Sequence, residues 1–153
     1  MTQSAQNRSN DTNGRFIHFG GPVDEISITL RIFGDTLDPD EITELLGCTP
    51  TTTKQHRQTT NRECWLLKGT SSPETNSEQQ ITSLLNMLTN DLKIWQNLTM
   101  RFDVDLFCGL FMETFNRGFE LSPSIMRQLA ERGIKLTFDI YSEDYPPEFE
   151  EFL

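Results

Sequence analysis

The sequence predicts an α+β fold, a two-layer α/β sandwich in which a mixed or antiparallel sheet of about four strands carries helices on one face. Three observations point there. Residues 26–33, 101–110 and 134–141 alternate apolar and polar side chains, the mark of strands with one side toward a core and the other toward water. Between the strands, apolar residues recur at spacings of three and four, the period of a helix with one buried stripe. These alternating strands each have one apolar and one polar face, whereas a sheet sandwiched between two helix layers requires strands apolar on both.

The first strand sets Ile26, Ile28, Leu30 and Ile32 on one face and Ser27, Thr29, Arg31 and Phe33 on the other. Gly34-Asp35 turns the chain toward a short helix. There Asp38 is placed to cap, Pro39 suits the first helical position because its missing N–H has no intrahelical partner anyway, and Glu41 stands at the reciprocal capping-box position. Ile42, Leu45 and Leu46 form the buried stripe, and Gly47 allows the left-handed exit.

Residues 48–62 are polar, rich in Thr, and predict an exposed loop before a short strand at Cys64-Trp65-Leu66-Leu67. After a linker at 69–77, Ile81, Leu84, Leu85, Leu88, Leu92 and Trp95 predict one amphipathic helix of five or more turns ending near Asn97. Phe102, Val104, Leu106 and Cys108 then oppose Arg101, Asp103, Asp105 and Phe107 in the next strand. Leu121-Ser122-Pro123 opens a helix with Ile125, Met126 and Leu129 inward, closing on Gly133. The last strand opposes Ile134, Leu136, Phe138 and Ile140 to Lys135, Thr137, Asp139 and Tyr141.

The order strand, Leu-x-Pro, short helix, Gly, strand occurs at 26–67 and again at 102–140. Such a repeat is compatible with a ferredoxin-like sheet arising by internal duplication, the long helix lying between the halves. The expected organisation is a polar leader at 1–22, one domain at 23–142, and a tail at 143–153 with five acidic and no basic residues. A folded core of this size removes about two-thirds of the unfolded chain's surface from water, so it needs neither disulfide nor metal staples.

Thirteen basic residues against 23 acidic give a formal net charge of −10, which argues against nucleic acid and anionic membrane as partners, since both are held by clustered Lys and Arg. No apolar run approaches the ~20 residues of a membrane span. The three cysteines, Cys48, Cys64 and Cys108, fit reduced thiols in a cytoplasmic protein. Cys64 and Cys108 read as small core residues, and no histidine stands in a nucleophilic motif. No cofactor and no metal site is expected.

Two residue sets remain as candidates. Arg31, Asp103, Asp105, Lys135 and Asp139 share the outward sheet face; a hard-cation site or acid/base pair is conceivable there, but a solvated face with cross-strand ion pairs is the simpler expectation. Lys54, His56, Arg57 and Arg62 concentrate positive charge in the basic loop 48–63 beside Trp65, a pattern that could hold a phosphate or carboxylate in a small-anion-binding regulatory domain. A loop that is polar because it lies in water, and Trp65 filling the core, are the simpler expectations.

The run from Leu30-Arg-Ile-Phe-Gly-Asp through Leu46-Gly47, with Pro50, Trp65, Leu121-Ser-Pro and Gly133-Ile-Lys-Leu-Thr-Phe-Asp-Ile-Tyr141, resembles a family of small, mainly bacterial proteins, domain of unknown function 4279. The likeness covers roughly 25–142 and implies a stand-alone domain with no catalytic motif to transfer, of a kind associated with toxin-neutralising immunity proteins. The functional expectation is therefore a non-catalytic binding domain, monomer or homodimer, recognising a protein partner. The acidic surplus favours a basic one through electrostatic steering.

Overall fold

Eight elements follow one another in the computed structural model, which describes residues 21–54, 62–72, 75–113 and 116–142. They are β1 (Glu25–Gly34), α1 (Pro39–Leu46), β2 (Glu63–Lys68), α2 (Ser77–Asn86), α3 (Leu92–Arg101), β3 (Asp103–Met112), α4 (Pro123–Glu131) and β4 (Lys135–Ser142). The strands form one mixed sheet in the order β2-β1-β3-β4, with β1 antiparallel to both neighbours and β3 parallel to β4. The architecture is the two-layer α+β sandwich that the strand periodicity predicts.

The inward residues of β1, β2 and β3 and the apolar stripes of the four helices meet in one cluster, against which Leu136 of β4 packs, while Phe138 and Ile140, also inward on β4, stay exposed. Ile28, Leu30 and Ile32 of β1 and Leu106 of β3 lie beneath Ile42 and Leu46 of α1, Ile81, Leu84 and Leu85 of α2, Trp95 and Leu98 of α3, and Ile125 and Leu129 of α4. The opposite face of the sheet carries no helix among the described residues.

The topology is not ferredoxin-like. In that arrangement a third strand separates the two strands of each β-α-β unit, whereas here β1 lies beside β2 and β3 beside β4. Nor do the two halves repeat one another in space. Between α1 and β2 the chain has a long connection in which to return to the Gly34 end of β1, where Glu63 pairs with Gly34, so that pair is antiparallel. After α4 it enters β4 within a few residues, pairing Lys135 with Asp105 near the start of β3, so that pair is parallel.

The single long helix expected over 77–97 is two helices. Asp91 caps α3 by accepting from Lys93 N at 2.9 Å, Asp91 N donates to Thr89 Oγ1, and the Trp95 indole donates to the Thr89 carbonyl at 2.8 Å. Thr, Asn and Asp side chains compete for backbone groups, so the helix that ends at Asn86 does not run on through Thr89-Asn90-Asp91, where Asp91 starts the next. Leu92 is consequently exposed instead of continuing the buried stripe. Met126 is also exposed, and α4 packs through Ile125 and Leu129 alone.

Asp38 and Ser122 cap α1 and α4, each followed by Pro, and Gly47 and Gly133 adopt left-handed φ of 72° and 68° at the exits. Glu41 does not close a capping box; its carboxylate accepts from both terminal nitrogens of Arg101 on α3, at 2.6 and 3.0 Å. The reciprocal box belongs to Asn76 and Gln79 at the start of α2.

Candidate recognition surface

Strand register decides which outward side chains become neighbours. On the helix-free face Arg31 stands between Leu66 of β2 and Asp105 of β3, and Asp105 faces Lys135 of β4. The next rows place Thr29 beside Phe107 and Phe107 beside Thr137, then Ser27 beside Gly109 and Gly109 beside Asp139, then Glu25 beside Phe111 and Phe111 beside Tyr141.

At the centre of this grid Arg31 Nε and one terminal nitrogen donate to the two oxygens of Asp105 at 2.8 and 2.6 Å, and Thr137 Oγ1 donates to the same carboxylate at 2.7 Å. Three donors supply the hydrogen bonds that burial denies this carboxylate from water. The Arg31 guanidinium carbon lies 4.1 Å from the centroid of the Phe107 ring and 5.5 Å from that of Phe33. Arg31 thus bridges an acid and two aromatic faces, and contacts of the second kind contribute about 1 kcal/mol at partly exposed sites. Phe111 and Tyr141 stack at 4.8 Å with 8° between their planes, and the Tyr141 hydroxyl donates to Asp139.

Asp105 is only 6% exposed, so it is not the solvated decoration that strand alternation predicts. Central strand β3 is flanked on both sides, and Arg31 and Thr137 reach over the carboxylate from the neighbouring strands. Asp103 and Lys135 are exposed and Asp139 and Arg31 half-buried. Arg62 beside Asp103, donating at 2.7 Å, holds that carboxyl below the usual range through its hydrogen bond and then its charge, with a smaller contribution from Lys135. The three aspartates do not converge: Asp105 and Asp139 stand four register positions apart, about 13 Å along a strand. Among the described residues no group of three or more His, Cys, Asp or Glu is arranged to hold a metal ion.

The basic set does not assemble into an anion site among its described members. Trp65 lies on the helix side of the sheet, fully buried in the core, with its indole donating to Thr43 Oγ1 at 3.0 Å. Alternation forces this, since Trp65 pairs with Ile32 on the inward face. Arg62 is engaged by Asp103, by Asp35 at 3.4 Å and by the Phe33 carbonyl. Lys54 is exposed, and its backbone N–H donates to Thr52 Oγ1. His56 and Arg57 lie outside the described residues.

Burial pushes the Cys108 thiol up to about 12 and raises that of Cys64, so both are protonated near neutral pH. Cys64 is buried on the helix-free side, across from Phe33, and lies outside the main core cluster. Charge alone misses Phe33, Leu66, Phe107, Phe111 and Tyr141, the apolar part of the surface. Their signal is in the sequence: large apolar side chains at outward positions of otherwise alternating strands.

The family model for domain of unknown function (DUF4279) matches residues 24–143, the whole of the sheet and its helices. The chain belongs to the DUF4279 family. The match begins one residue before β1 and ends one residue after β4, so the family unit of DUF4279 coincides with the α/β domain. No curated protein and no solved structure matches the chain. No helix among the described residues is long and apolar enough to cross a membrane.

Proposed function

We propose that this DUF4279 chain is a non-catalytic recognition domain that binds a protein partner on the helix-free face of its sheet. One observation carries the proposal: a face that no described helix covers presents an Arg flanked by two Phe rings, a stacked Phe-Tyr pair and the half-buried Leu66. Aromatic residues and Arg are the side chains that dominate protein interfaces, because rings bring large contact area with few rotatable bonds and the Arg guanidinium brings directional hydrogen bonds and stacking. Arg31 and Asp105 neutralise one another at the centre, so a partner meets a largely apolar middle with charges at its margin, at Lys68, Asp103, Lys135 and Asp139.

The net charge of −10 favours a basic partner by steering. A cytoplasmic immunity-type role, with a cationic toxin as the partner, is the biological setting that fits such a surface. Affinity capture from the native host tests the proposal. The wild type is compared with Thr29→Arg and Phe111→Ser on the helix-free face and with Met100→Ser, an 87% exposed control on α3. A partner recovered with the wild type and the control and lost with both face variants supports the assignment. Recovery of no partner, or full retention by the face variants, contradicts it.

A further inference from the structure

The two edges of the sheet are finished differently. The outer edge of β2 is closed by the chain itself: Thr51 N and Thr52 N donate to the Leu66 carbonyl at 2.8 and 3.2 Å, Leu66 N donates to the Thr52 carbonyl at 3.0 Å, and Lys68 N donates to Thr51 Oγ1. Along β4, residues 135–140 pair with β3 on one side, and no described residue forms a ladder on the other. An open edge strand is a template for another strand.

On the helix side this edge presents apolar side chains, and its charges lie on the other side. Phe138 and Ile140 are 43% and 55% exposed on the helix side, where the Phe138 ring meets Phe119 edge-on. On the other side Lys135 and Asp139 lie four residues apart with Thr137 midway. Antiparallel pairing of β4 with itself about a two-fold axis at Thr137 sets Lys135 opposite Asp139 of a second copy, and Asp139 opposite its Lys135. Directly opposed side chains in such a pair have Cβ atoms about 5 Å apart, close enough for both ion pairs. The same register sets Phe138 opposite Leu136 of the second copy and diagonal to its Phe138, covering the exposed rings. Shifting the register by one residue would turn each apolar side chain against a polar one.

We propose that the occupant of this edge is a second copy of the chain, joined β4 to β4 in a continuous eight-stranded sheet and fixed in register by the reciprocal Lys135–Asp139 pairs. The interface uses the edge of the sheet; it shares Lys135 and Asp139 with the margin of the proposed recognition face but leaves the Arg31 centre uncovered, and the sedimentation result does not depend on the partner-binding function.

Sedimentation velocity on the full chain, with circular dichroism to confirm folding, tests it. The wild type is expected to sediment as a dimer at micromolar concentration. Lys135→Asp is expected to sediment as a monomer with an unchanged spectrum, as is Asp139→Lys, and the exchange Lys135→Asp with Asp139→Lys is expected to restore the dimer. A monomeric wild type overturns the proposal, as does a dimer indifferent to the single reversals. Should a single variant unfold, Ile140→Lys at the 55% exposed position serves as the second probe, and a dimer that survives it also overturns the proposal.

Discussion

Leu106 and Asp105 are consecutive residues of β3, both less than a tenth exposed, and they are hidden by opposite means. Leu106 lies under a helix layer and needs only contact with Ile81, Trp95 and their neighbours in the core cluster. Asp105 has no described helix above it. It is hidden by Arg31 and Thr137 reaching from the two flanking strands, in contacts that depend on one register and one set of hydrogen bonds. The helix-covered face is therefore protected by other elements, whereas among the described residues the opposite face is protected by its own side chains. A surface of the second kind stays within reach of a partner while remaining ordered.

The sharpest way to break this contrast is to truncate neighbouring positions that face opposite ways. Leu106→Ala should destabilise by about 3 kcal/mol, the loss of a fully buried leucine together with its cavity. Phe107→Ala should cost about 1 kcal/mol, because the half-buried ring loses only part of its contacts and its stacking with Arg31. Urea denaturation monitored by tryptophan fluorescence measures both. Equal losses would mean that the two faces are equally packed.

Next in size is the polar centre. Asp105→Ala should cost about 2 kcal/mol, because it leaves Arg31 and Thr137 without their acceptor while the partly exposed guanidinium can rehydrate. Replacing both partners by Arg31→Met with Asp105→Leu should recover most of that loss, since two apolar groups in place of a buried pair remove the desolvation term. A double variant no better than Asp105→Ala would show that the pair is required for more than mutual neutralisation.

The smallest effect belongs to the rim. Asp103 has its carboxyl depressed below the ordinary 3.8 by Arg62. A depressed carboxyl stabilises the fold at pH values above its unfolded-state range and loses that contribution as pH falls through the lower folded-state value. Arg62→Met should therefore lower the melting temperature slightly at pH 7 and by less in acid, as Asp103 is protonated while the bond to the Phe33 carbonyl remains. A difference undiminished or larger in acid would assign the role of Arg62 to packing instead of to charge.

Strand faces and helix caps are legible in the sequence because both are local: alternation over eight residues and Asp-Pro or Ser-Pro ahead of a stripe settle them. The break between α2 and α3 is also written locally, in Thr89-Asn90-Asp91, but the unbroken spacing of Leu85, Leu88 and Leu92 masks it. Strand order and the burial of Asp105 are not local. Arg31 and Asp105 are 74 residues apart, and their meeting depends on the order of the strands in the sheet and on register, which no short window contains. The outward position of Asp105 is readable from alternation, but its shielding is not. The same holds for Trp65, which adjoins a basic loop in sequence and turns away from it in space.

Photo-crosslinking tests the recognition face most directly. A benzophenone amino acid replaces Phe111, 37% exposed on the helix-free face, or Met100 on the helix layer, and each protein is irradiated in host extract. The recognition face predicts one dominant adduct from position 111 and none from position 100; adducts from position 100 alone would place binding on the helices and contradict it.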